Sequence, residues 1–157
     1  MRIRRRCKLF IDGASRGNPG PAGIGVVVEA EKDGSRFYCR FLGQTTNNVA
    51  EYSALIEALQ VAKEQGFTDL AIRTDSELLA RQVNGQYRVK APHIEVLLSQ
   101  ARILFGDFES VQVEHVRRES NRQADWLANQ AVDRKVSERT ELSAPPARAT
   151  GQHRNVL

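Results

Sequence analysis

At 157 residues the chain points to one domain with its own hydrophobic core. Apolar residues make up 41% and charged residues 27%, ordinary values for a soluble globular protein, and no apolar run approaches the ~20 residues of a membrane-spanning helix. The net charge of +4 permits phosphate binding without establishing it, since many basic proteins bind no nucleic acid.

The opening Met1-Arg-Ile-Arg-Arg-Arg6 lacks the apolar segment and small-residue cleavage site of a secretory signal, so cytoplasmic residence is the expectation. Cys7 and Cys39 both sit in apolar, strand-like stretches and read as two buried reduced thiols, not as a disulfide or metal pair.

Residues 6–11 predict a first strand. Cys7, Leu9, Phe10 and Ile11 give it apolar residues on both faces, which places it at the centre of a sheet. The stretch 12–25 is rich in glycine and proline, and Gly17-Asn-Pro-Gly20 marks a turn. A β-branched run over 24–30 leads into the hairpin signal Lys32-Asp-Gly-Ser35. Residues 36–42 then alternate, Phe37, Cys39 and Phe41 against Arg36, Tyr38 and Arg40, as in an edge or half-exposed strand.

A helix is predicted over 48–64, closed by Gly66. A fourth strand over 68–74 ends at Asp75, and a short helix over 76–83 stops at Asn84-Gly85. Pro92 suits the first turn of another helix, whose Ile94, Leu97, Leu98, Ala101 and Leu104 fall at helical spacing. Residues 110–116 predict a fifth strand, and Ser120 or Asn121 caps a last helix reaching about Arg134. From Ser137 on, Pro145-Pro146 and the scarcity of apolar residues predict a disordered tail, 136–157, dispensable for chemistry. Three consecutive strands suit an antiparallel meander, and strands separated by helices suit parallel crossovers. The order therefore predicts an α/β fold with a mixed five-stranded sheet flanked by helices.

Four carboxylates stand out by placement. Glu51 precedes by one turn the apolar stripe Ala54, Leu55, Ala58 and Ala62 of its helix, where a carboxylate is costly unless something positive meets it. A capping role near the helix N-terminus is the competing reading. Asp12 follows the central strand and precedes Gly13, as a turn-starting aspartate would too. Asp75 ends the fourth strand, where ligands gather in open sheets, although Asp75 or Ser76 could equally cap the next helix. Asp125 lies in the first turns of the last helix, where the plain alternative is a surface aspartate favoured by the helix dipole. Jointly the four suit hard cations such as Mg²⁺, which prefer carboxylate oxygens, but periodicity alone does not make them converge.

Four ordered segments carry a family resemblance: Phe10-Ile-Asp-Gly-Ala-Ser-Arg-Gly-Asn-Pro-Gly20, Thr45-Thr-Asn-Asn-Val-Ala-Glu-Tyr52, Thr74-Asp-Ser76 and Asn121-Arg-Gln-Ala-Asp-Trp-Leu-Ala128. Through them residues 7–135 closely resemble ribonuclease H type 1. The resemblance implies a ribonuclease H-like fold with strand order 3-2-1-4-5 and a catalytic domain over 1–135. It implies metal ligation and catalysis by Asp12, Glu51, Asp75 and Asp125. The reaction would be hydrolysis of the RNA strand of an RNA–DNA hybrid with two Mg²⁺ ions, Mn²⁺ substituting, to leave 5′-phosphate and 3′-hydroxyl ends. Substrate contacts are implied at Ser15, Asn18, Thr46, Asn47, Asn48 and Glu77. Amides suit that work because they donate and accept, and so can bond a ribose 2′-hydroxyl. Asn47-Asn48 also reads as a helix cap.

Two departures from the family pattern stand out. Many relatives insert a basic, tryptophan-bearing protrusion where Gln86-Tyr-Arg-Val-Lys-Ala-Pro92 here connects directly to the next helix. Trp126 is expected in the core, and the N-terminal arginines become candidates to compensate. Many relatives also carry a loop histidine before the fourth acid, and none lies between Val116 and Asp125. His115, in register with Val111 and Val113, is expected to be a packed structural residue. Arg117 or Arg118, in the shortened loop, is a candidate for the vacant role, Arg118 being nearer Asp125, with two solvated arginines on a nucleic-acid-facing surface as the competing reading. The expected partner is the hybrid, with no membrane, and the expected state is a monomer. Rival readings are another nuclease of the superfamily and a hybrid-binding module without catalysis. The asparagines argue against a DNase, and the full acid set argues against an inactive module.

Overall fold

The computed structural model describes residues 3–146. β1 (Arg6–Ser15), β2 (Gly20–Ala30) and β3 (Gly34–Thr45) form the antiparallel meander. β2 and β3 extend beyond 24–30 and 36–42 because their ladder continues past a register shift at Ala22/Gly23, with Gly20 opposite Thr45. β1 also pairs in parallel with β4 (Asp69–Thr74), and β4 with β5 (Ser110–His115). β1 is thus central, and its Leu9 and Ile11 are fully buried.

The parallel neighbours need crossovers, and helices supply them. α1 (Asn47–Glu64) joins β3 to β4, and α2 (Glu77–Val83) and α3 (Pro92–Phe105) join β4 to β5. α3 packs on α1, so Tyr52, Leu59 and Val61 are buried along with the expected stripe Ala54, Leu55, Ala58 and Ala62. α4 (Arg122–Arg134) crosses the other face over β2 and β3. The strand period of two sends Val26 and Val28 into the α1 core and Val27 into the α4 core, with Phe37, Cys39, Ala124, Leu127 and Ala131. Trp126 is half-buried at the rim of that second core. Close seating of α4 requires Gly25, where a Cβ would lie 2.7 Å from Leu127 Cβ. Cys7 and Cys39 are buried free thiols, and burial pushes Cys7 up to about 12.

Among the described residues the sheet has six strands, not the expected five, in the order β5-β4-β1-β2-β3-β6. β6 (Thr140–Leu142) pairs antiparallel with β3. The expected disorder of 136–157 is therefore corrected for residues 136–146, and 147–157 lie outside the described residues. The physical reason is the edge of β3, whose unpaired backbone groups accept a further strand. Phe41 N–H donates to the Val136 carbonyl at 2.6 Å, and Leu142 packs on the second core. Arg139 reaches α1, donating to Glu57 Oε2 at 2.5 Å and to Glu64 Oε1 at 2.6 Å. Glu57 is buried, and Arg40 Nε donates to its other oxygen at 2.7 Å.

The first arginines serve the fold. Arg4 grips Asp69 through Nε at 2.6 Å and Nη2 at 2.8 Å, and Arg5 lies 4.6 Å above the Phe67 ring. Among the described residues no helix is long and apolar enough to cross a membrane.

Candidate metal centre

Each acidic side chain is placed by a local device. β1 carries Asp12 on the strand that the rest of the sheet surrounds. Thr46, not Asn47 or Asn48, caps α1, its Oγ1 accepting from Val49 N–H at 3.2 Å. Asn18 Oδ1 accepts from Asn47 N–H at 3.1 Å and so ties the β1–β2 turn to the same helix start. Glu51, in the second turn, accepts the Gly13 N–H on Oε1 at 2.9 Å. The choice of cap between Asp75 and Ser76 falls to Ser76, whose Oγ accepts from Leu79 N–H at 3.1 Å. Asp75 is thereby released to face the other acids.

Asp12, Glu51 and Asp75 each bring a carboxylate oxygen within 4.8 Å of the others. Asp12 and Glu51 are only 5% and 6% exposed, so their charges are poorly solvated. Burial, then the negative charges of Glu51, Asp75 and Asp125 and the close approach of the Asp125 carboxyl, hold the Asp12 carboxyl well above the usual range. Glu51 is pushed up to about 8, mainly by burial, against the lowering pull of the Gly13 amide and Arg118. Asp75 is raised by burial and Asp125, with Arg118 and hydrogen bonds from Asp12 and Asn121 opposing. Asp125 is fixed by its own N–H on the Asn121 carbonyl at 3.1 Å and by Asn129 Nδ2 on its backbone oxygen at 3.0 Å. Asp12, Glu51 and Asp75 thus meet, and the charge of Asp125 acts on all three. Hard oxygen donors crowded together at raised pKa are a set that a divalent cation fits, because its charge offsets both the repulsion and the burial.

Arg118 opens a short 3₁₀ turn (Arg118–Ser120) between β5 and α4, near enough for its charge to act on Glu51 and Asp75. Arg117, the preceding residue, is exposed. His115 is also exposed, beside Asn84 and Gln86 at the end of β5, which corrects the expectation of a packed residue. Its strand position faces a helix too short to cover it. Around the cluster Asn18 and Asn47 are exposed and joined, while Asn48 and Thr46 are half-buried. Ser15 Oγ donates to the Thr45 carbonyl at 2.9 Å and to the Gly17 carbonyl. Glu77 is exposed and paired with Arg81 at 2.8 Å. A groove of about 640 Å³ lined by Arg4, Arg6 and Lys8 lies at the opposite end of β1 and contains none of the four acids.

Sequence reasoning missed two residues. Gly13 has no side chain to notice, yet its amide and its bare Cα let Glu51 approach. Asn121 was expected only as a cap, yet its side chain makes no capping bond and is turned to the Ile11 carbonyl at 2.8 Å. The signal available was its position one turn before Asp125.

A family model described as reverse transcriptase-like matches residues 10–131. The ribonuclease HI of Halobacterium salinarum is 41% identical over 129 residues, which span 82% of this chain and 65% of that protein. The bifunctional protein Rv2228c of Mycobacterium tuberculosis is 41% identical over 140 residues, 87% of this chain and 38% of its own length. The chain thus spans less than two thirds of these curated relatives. Among solved structures, RNase H1 from Halobacterium salinarum superposes with a TM-score of 0.79 at 41% identity, covering 82% of this chain and 98% of that one. LC11-RNase H1 in complex with an RNA/DNA hybrid gives 0.78 at 38% identity, covering 82% and 98%.

Proposed function

The chain belongs to the ribonuclease H family, type 1, and on that premise we propose that it is an endonuclease hydrolysing the RNA strand of RNA–DNA hybrids. The observation that carries the reading is the convergence of Asp12, Glu51 and Asp75 within 4.8 Å. The hybrid held by a relative at 38% identity supports the substrate.

Asp12, Glu51, Asp75 and Asp125 would hold two divalent cations, Mg²⁺ with Mn²⁺ as substitute. Bound there, such a pair supplies activation of the attacking water and stabilisation of the leaving oxygen, giving 5′-phosphate and 3′-hydroxyl ends. The chain's own part is placement. The buried acids keep their geometry because the Gly13 amide and the Asn121 side chain fix Glu51 and the end of β1. Asn18, Asn47 and Asn48 present amides that can both donate to and accept from a ribose 2′-hydroxyl, with Ser15 and Thr46 near them and Glu77 at the start of α2 as a further contact. Arg118 acts by charge, since a guanidinium stays protonated near neutrality and reaches phosphate oxygens in pairs.

The test is a cleavage assay with labelled hybrid, single-stranded RNA, RNA duplex and DNA duplex, each with Mg²⁺, Mn²⁺ or EDTA. Hybrid-specific cutting that EDTA abolishes is the expected result. Equal cutting in EDTA, or 2′,3′-cyclic phosphate ends, overturns the mechanism.

A further inference from the structure

We propose that Asn121 is a positioning residue that holds Asp12, Asp75 and Asp125 in register for a divalent cation. The inference rests on the metal-centre reading above. Asn121 is 1% exposed and sits at the junction of the last loop and α4. Three bonds tie it to the backbone beside Asp12, to the Asp75 side chain and to the Asp125 N–H. Its Nδ2 donates at 2.8 Å to the carbonyl of Ile11, the residue before Asp12. The same side chain hydrogen-bonds the Asp75 carboxylate. Its backbone carbonyl accepts the Asp125 N–H at 3.1 Å.

A capping asparagine would turn its oxygen onto the first amides of the helix. Asn121 does the opposite. No side-chain cap bond forms, and Oδ1 is buried with no hydrogen-bond partner among the described residues. Leaving a buried acceptor unmade is costly, so aiming the amide NH₂ at Ile11 and Asp75 must offset it. An amide also donates to a carboxylate without adding a positive charge that would compete with a cation. Partners one shell removed from a metal commonly govern affinity in this way.

The test uses Asn121→Ala and Asn121→Ser in the full chain. Mn²⁺ binding is followed by calorimetry without nucleic acid, alongside thermal unfolding and the turnover and Michaelis constant on hybrid. Loss of the positioning bonds should weaken Mn²⁺ about 10–100-fold and lower turnover comparably, with the Michaelis constant nearly unchanged. Variants that melt lower, yet bind Mn²⁺ and turn over like wild type, reduce Asn121 to a structural residue. If neither variant folds, the same conclusion holds and the proposal falls. A wild-type protein that binds no Mn²⁺ overturns the metal-centre reading itself, and this inference with it. Asp12→Asn serves as the reference for lost binding.

Discussion

The Gly13 amide donates to Glu51 Oε1 at 2.9 Å, and a Cβ on Gly13 would stand 2.5 Å from the Glu51 nitrogen and closer still to the Ala50 carbonyl. β1 and the start of α1 therefore touch backbone to backbone. That approach is what lets a helix residue share a site with a strand residue. Gly13→Ala should push α1 away, cost about 1–3 kcal/mol of stability as overpacking does, and reduce hybrid cleavage by far more than the melting shift accounts for. Denaturant unfolding and turnover measured together check it. Turnover close to wild type would show that the spacing does not set the position of Glu51.

Neutralising one acid should separate stability from chemistry. Asp12 is buried among three other carboxylates that repel its charge. Asp12→Asn keeps the shape and removes the charge, so in EDTA it should melt above wild type while turnover falls by orders of magnitude. Adding Mg²⁺ should raise the melting temperature of wild type more than that of the variant, because only an intact site gains binding energy.

The raised acids also fix a direction with pH. Glu51 holds its proton to about 8 in the fold, against an ordinary 4.5, so across that window the folded state binds more protons than the unfolded one. Stability of the metal-free protein contributed by Glu51 is then present at low pH and lost as pH rises from about 4.5 to about 8. Asp12 and Asp75 are shifted the same way. Melting curves in EDTA should show Glu51→Gln gaining on wild type as the pH rises through this window. Mn²⁺ affinity should rise over the same range, since the metal displaces the proton. A pH-independent gap between the two proteins would contradict the shift.

The sheet from β1 to β5 was legible because its signals are local: alternation, turn residues and helix spacing. The positions of Asp12, Glu51 and Asp75 were legible as carboxylates at element ends, but their meeting needed family resemblance, because convergence is a property of the packed chain. β6 was hidden for a definite reason. Its anchors are backbone pairing to β3, the ion pairs of Arg139 with Glu57 and Glu64 and the packing of Leu142, and one apolar residue in a three-residue strand leaves no periodic pattern. The exposure of His115 was hidden likewise, since strand register says which face a residue takes and not whether a helix covers it.

That strand carries its own prediction. Glu57 is buried between Arg40 and Arg139, and removing Arg139 leaves it with one partner. Arg139→Ala should cost about 1–3 kcal/mol, less than a buried charge stripped of every partner. Truncation after Lys135 should cost more, because the β3 edge is bared as well. Urea unfolding checks both. A truncated protein as stable as the full chain would show that β6 contributes nothing to the fold.

The last prediction concerns the loop between β5 and α4. The charge of Arg118 lowers both Glu51 and Asp75, and Arg117 precedes it as an exposed residue. A guanidinium does not give up its proton near neutrality, so Arg118 can steer the cleaved phosphate or steady the acids but cannot relay protons. Arg118→Ala should therefore lose far more turnover than hybrid affinity, and its activity should need a higher pH, because Glu51 and Asp75 lose the charge that helps them ionise. Arg118→Lys should recover part of that loss, keeping the charge without the paired donors. Arg117→Ala should raise the Michaelis constant in a salt-dependent way, as an ordinary phosphate contact does. His115→Ala serves as a control for a nearby exposed residue outside the cluster. If both arginine variants change only the Michaelis constant, the loop holds the nucleic-acid backbone and takes no part in the chemical step.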